Sequence, residues 1–65
     1  MSYYNDKRKI LLALKDYLQQ DELEPFSVFV IKHGFPLGFD KPMIQKMLEN
    51  NFNLTIEKDK VVKNE

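Results

Sequence analysis

Few side chains in this sequence could do covalent or proton-transfer chemistry. His33 is the one histidine and the one candidate general base. No serine stands beside it in a nucleophile motif, and Ser27, six residues away in an apolar run, is expected to bond backbone. Acid–base and nucleophilic work needs a second group within hydrogen-bond reach, so His33 is expected not to be catalytic and the protein not to be an enzyme. The stretch "GFPLG" is no phosphate cradle, because Phe35, Pro36 and Leu37 would block the close backbone approach such loops require. The carboxylates of "DELE" and "EKDK" lack the alternating oxygen-ligand spacing of a calcium loop. With no cysteine there is no disulfide and no thiolate zinc site, and one histidine leaves zinc or copper without clustered ligands. No metal and no cofactor is expected.

Composition narrows the classes further. A chain of 65 residues holds at most one domain, here expected over residues 1–65 with frayed ends at 1–3 and 63–65. Its hydrophobic fraction of 43%, with five Phe and three Tyr, suffices for one core and argues against disorder. Ten basic and ten acidic residues cancel, whereas nucleic-acid-binding domains usually carry a basic excess. The opening "MSYYNDKRK" is not read as a signal peptide, since "ILLALKDYL" is broken by Lys15 and Asp16. The longest apolar run, "VFVI", is far short of a membrane span. A soluble cytoplasmic protein is expected.

The elements follow from periodicity. Ile10, Leu11, Leu14, Tyr17 and Leu18 form one stripe of a helix over residues 5 to 20, with Ser2, Asn5 or Asp6 as candidate caps and Leu12 left on the far side. Lys7, Arg8 and Lys9 crowd its positive end and Asp21 and Glu22 follow its negative end, so tertiary packing must hold it. "EPFSVFVIKHG" has apolar residues on every side; Pro25 favours a short buried helix, yet residues 26–31 could instead be a strand. "HGFPLGFD" reads as a break, with Phe35, Leu37 and Phe39 packing down onto the core. Asp40 and Pro42 then open a helix whose apolar face is Met43, Ile44, Met47 and Leu48, and Asn50 or Asn51 can end it. Phe52, Leu54 and Ile56 alternate with polar residues as a half-buried strand, and Val61 and Val62 begin a return strand. "EKDK" has no glycine and no Asn-Gly pair, so a loop longer than two residues is expected between them. The expected fold is α+β, three helices and a C-terminal β-hairpin, with a core of Ile10, Leu14, Leu18, Phe26, Phe29, Met47, Leu48 and Ile56.

This order of elements resembles the winged helix-turn-helix superfamily, carried by "KILLALKDYL", "PFSVFVIKHG", "DKPMIQKMLENN" and "FNLTIEKDKVV". The connection "GFPLGF" departs from it, being longer than the three- or four-residue turn of a standard helix-turn-helix. The resemblance implies a transcriptional regulator that binds duplex DNA, with the third helix in the major groove. Gln45, Lys46 and Asn50 would meet bases and phosphates, Lys41 would lie near the helix start, and Lys58 and Lys60 would reach the backbone from the wing. A single small module makes few contacts, so such a regulator would act as a homodimer. Glu49, Glu57 and Asp59 share these surfaces, and from Phe26 onward six lysines face five acids. The alternative is a protein-interaction module or small inhibitor on the same scaffold. Exposure of Leu12 and of the three methionines would favour it.

Overall fold

The computed structural model describes residues 3–63. It is an α+β fold of three helices followed by a two-stranded antiparallel hairpin. The expected fraying of residues 1, 2, 64 and 65, and the candidate cap Ser2, lie outside the described residues. Tyr3 begins the first helix and Lys63 ends the last strand.

Helix α1 (Tyr3–Leu18) buries Ile10, Leu14 and Tyr17, the stripe that its 3.6-residue period marks. Asn5 and Asp6 lie within its first turn and do not cap it from outside. Tyr3 stacks on Phe39 with ring centroids 5.6 Å apart, which ties the start of α1 to the turn before the third helix.

The second helix starts as an α-helix at Phe26–Phe29, widens to a π-helical turn at Val30–Gly34 and tightens to a 3-10 turn at Phe35–Leu37. These pieces are continuous and are called α2 below. A strand over residues 26–31 is therefore excluded, and the expected break at "HGFPLGFD" starts too early. The wide turn explains how the helix runs up to Pro36. Proline has no N–H and its ring clashes with the carbonyl four residues back in a regular α-helix. Here Phe35 N–H already reaches back to Val30 O, and the ladder is out of α register before the proline arrives. The helix ends at Gly38, whose φ of 82° is left-handed. Gly38 N–H donates to Phe35 O at 3.0 Å and Phe39 N–H to Gly34 O at 2.9 Å, the paired bonds of a Schellman motif.

Helix α3 (Lys41–Phe52) begins as its sequence indicates, with Asp40 accepting from Met43 N–H at 3.1 Å and Pro42 in the first turn. It runs past Asn50 and Asn51 and stops at Asn53, which takes the left-handed conformation (φ 54°). Phe52 accordingly belongs to the helix, and strand β1 (Leu54–Glu57) starts two residues later than the alternation suggests. Strand β2 (Lys60–Lys63) pairs with it from Glu57↔Lys60 to Leu54↔Lys63. Only two residues connect the strands. Lys58 and Asp59 both have positive φ, 52° and 63°, the geometry of a type I′ turn. The longer loop expected from the absence of glycine is not formed, for a reason given below.

The core comprises Ile10, Leu14, Tyr17, Phe26, Phe29, Val30, Phe39, Ile44, Met47 and Leu48. Leu18 and Ile56, expected inside it, are half-buried at its margin. Of the three bulky residues in the break, Phe39 is buried, Leu37 half-buried and Phe35 exposed. No described helix is long and apolar enough to cross a membrane.

Candidate nucleic-acid interface

The link between the second and third helices decides how α3 is presented. Because α2 extends to Leu37, only residues 38–40 separate it from α3. The long connection read from "GFPLGF" is thus a three-residue turn, and the departure from helix-turn-helix spacing disappears. Close packing sets the relative placement of the two helices. Gly34 is buried in α2, and a Cβ added there would lie 2.7 Å from Phe39 O and closer still to Ile44 Cδ1.

The hairpin is fastened to the other end of α2. Pro25 precedes that helix and offers no side-chain cap. Asp59 supplies one from the hairpin turn, 32 residues away in sequence. Its Oδ1 accepts from Ser27 N–H at 2.9 Å, its Oδ2 from the Ser27 hydroxyl at 2.6 Å, and its carbonyl from Phe26 N–H at 3.0 Å. A carboxylate at a helix N-terminus satisfies free amides and complements the dipole. These bonds hold Asp59 in a left-handed conformation that aspartate tolerates better than most residues, which explains a tight turn without glycine. They also correct the expectation that Ser27 bonds backbone. The Ser27 hydroxyl and backbone amide, followed by Lys41, keep the Asp59 carboxyl below its ordinary value of 3.8 despite partial desolvation.

A pH dependence follows from that shift. A depressed folded-state pKa adds stability that is fully present above the unfolded value and fades as pH falls through 3.8 toward the folded value. Asp59→Asn keeps an acceptor and tolerates positive φ, but has no charge to lose. Its melting temperature should lie below that of wild type at pH 7 and converge with it in acid. Melting curves across that range check this; parallel curves at every pH would remove Asp59 as the source.

The six sequence-selected residues fall into two groups. On α3, Gln45 and Lys46 line a shallow depression of about 330 Å³ with Pro42 and Glu49, centred on the outer face. Lys46 and Asn50 are exposed. Gln45 is half-buried, and its Nε2 donates to Glu49 Oε2 at 3.3 Å. Glu49 also accepts from the Thr55 hydroxyl at 3.0 Å, so this acid ties α3 to β1, a role that nothing in the local sequence signals. Around the hairpin turn, Lys58 and Lys60 are exposed, while Lys41 Nζ lies 3.8 Å from Asp59 Oδ1. That pair places Lys41, at the start of α3, beside the hairpin tip.

Two other surfaces are notable. Val28, Ile31 and Phe35 follow one another along the outer side of α2, the last two 58% and 59% exposed. Leu12 is 59% exposed on the side of α1 away from the core. Of the methionines, Met47 is buried, Met43 is exposed and Met1 lies outside the described residues. Beside the hairpin, the Tyr17 hydroxyl donates to Glu24 O at 2.5 Å. Burial, then Glu24 and Asp59, push its pKa above the ordinary 10.0, so it remains a donor at neutral pH. No family model, curated protein or solved structure matches the chain.

Proposed function

We propose that this protein is a winged-helix-like, cytoplasmic regulator that binds duplex DNA without catalysing a reaction, with α3 as recognition helix and the hairpin as wing. One observation carries the reading: a three-residue turn leads into α3 while Lys41 and Asp59 hold its first turn against the hairpin tip. Lys46 then meets phosphate from the helix, Lys58 and Lys60 from the wing, and Gln45 and Asn50 lie at base edges. The zero net charge makes the non-specific component small, so useful affinity needs a dimer.

Titration against duplex DNA at two salt concentrations tests this. Lys46→Ala and Lys58→Ala should each lower the slope of log affinity against log salt by about 0.9. Gln45→Ala should mainly reduce preference among sequences. Glu49→Gln removes a negative charge from the outer face and should tighten binding. Absence of binding at low salt with the circular dichroism spectrum intact would reject the reading.

A second reading, a protein-interaction module or small inhibitor, is favoured by the apolar outer side of α2 and by Leu12. Large adjoining apolar side chains in water commonly mark contact surfaces. Under that reading the lysine variants leave binding unchanged, and Ile31→Ser, Phe35→Ser or Leu12→Ala abolish it.

A further inference from the structure

A chain of hydrogen bonds from Thr55 through Glu49 to Gln45 fixes which edge of a glutamine the outer face of α3 presents. Gln45 and Glu49 are four residues apart, so their side chains adjoin on one face of the helix. Asn53 then turns the chain in its left-handed conformation. Thr55 on β1 returns to that face, where its hydroxyl donates to Glu49 Oε2 at 3.0 Å. The same oxygen accepts from Gln45 Nε2 at 3.3 Å. The Glu49 carboxylate is thereby held from the strand as well as from its own helix.

A carboxylate only accepts hydrogen bonds. Were the Gln45 amide reversed, its Oε1 would face Glu49 Oε2 and two acceptors would oppose each other. Glu49 therefore selects one of the two amide orientations, with Nε2 toward it and Oε1 away. No described residue bonds Gln45 Oε1, and Gln45 borders the open depression shared with Pro42 and Lys46. When the Nε2 hydrogen on the Cγ side serves Glu49, the second hydrogen lies beside Oε1. The free edge is then a donor next to an acceptor.

On the DNA-binding reading of α3, on which this rests, we infer that Gln45 reads an adenine in the major groove and that Glu49 and Thr55 are its positioning residues. Adenine meets that edge at both points, since its N7 accepts and its N6 amine donates. Guanine shows two acceptors there, so its O6 would oppose Oε1. Cytosine and thymine each offer a single polar group. A glutamine free to flip would lose this distinction, because its amine end alone can serve the acceptors of guanine or thymine.

The probe is a pool of duplexes with a randomised stretch, from which wild type, Gln45→Ala, Glu49→Ala and Thr55→Val each select at low salt. Wild type should require adenine at one position, and Gln45→Ala should lose that requirement while keeping the others. Glu49→Ala should lose it too, with Gln45 intact. Thr55→Val, which replaces the hydroxyl by a methyl, should weaken it severalfold. In the selected duplex, that adenine is replaced by 7-deazaadenine, which lacks the N7 acceptor, or by unsubstituted purine, which lacks the N6 amine. Each should weaken wild type by about tenfold and leave Gln45→Ala unaffected. In the free protein, the Gln45 side-chain amide signals should move as Glu49 protonates in acid; signals that ignore it would overturn the bond on which the orientation depends.

If Glu49 and Thr55 serve only to fasten α3 to β1, Glu49→Ala lowers affinity for all duplexes alike and keeps the adenine, which would overturn their positioning role. An adenine requirement that survives Gln45→Ala, or a cytosine required through Glu49 itself, would overturn the assignment of Gln45. Selection of no duplex by wild type removes the DNA-binding reading and the adenine contact together. Selection without a Gln45-dependent adenine removes the contact alone.

Discussion

Leu14→Ala is expected to lower stability by ~2–5 kcal/mol, the range for emptying a fully buried leucine site. Leu14 sits in the middle of the α1 stripe with no exposed surface and belongs to a core shared with α2 and α3. At 65 residues the whole domain is held by only about 3–10 kcal/mol. The variant should therefore melt ~10 °C or more below wild type, or populate the unfolded state at room temperature. Denaturant titration gives the free energy directly. An unchanged midpoint would take Leu14 out of the core. Leu12→Ala on the opposite side of the same helix is the internal control and should leave stability nearly unchanged, because Leu12 is largely exposed.

Gly34→Ala is the second large effect, and it arises from excess volume. The added methyl would meet Ile44 Cδ1, in a fully buried side chain, and Phe39 O at 2.7 Å, which cannot move without displacing the turn between α2 and α3. Overpacking of this kind costs about 1–3 kcal/mol, against which the better helix propensity of alanine offsets less than about 1 kcal/mol. Gly38→Ala separates steric from backbone causes. Nothing lies within 4 Å of its added Cβ, and its φ of 82° alone penalises the substitution. Under the proposed DNA-binding reading, Gly34→Ala should also weaken binding beyond its effect on folding, since α3 would shift relative to the hairpin; Gly38→Ala should do so less. Equal stability of Gly34→Ala and wild type would mean that the two helices can separate freely.

Much of the fold was legible because local signals agreed. Ile10, Leu14 and Tyr17 fall at helical spacing, and Asp40 with Pro42 opens α3 as written. Alternation from Leu54 to Glu57 marks β1. Each signal depends on residues a few positions apart, which is the range over which periodicity and capping act. For the candidate site, the same spacing placed Lys46 and Asn50 on the exposed side of α3 and Lys58 and Lys60 on the hairpin.

Other features could not be read locally. Glycine and proline in "HGFPLG" imply a break, yet the chain stays helical to Leu37 because a π turn accommodates Pro36 and packing against Ile44 requires Gly34. "EKDK" has no glycine and no Asn-Gly pair, yet the tight turn forms with Asp59 capping a helix that has no side-chain cap of its own. Gln45 and Glu49 looked like neighbours on a solvated face, but Thr55 recruits Glu49 into the contact between α3 and β1. The sequence by itself determined which stretches are amphipathic and where α3 starts. Tertiary structure decided where α2 ends, how tightly the hairpin turns and which charges are already paired. The physical reason is range: propensity and periodicity are properties of neighbouring residues, whereas a borrowed cap or a close helix approach depends on atoms that only folding brings together.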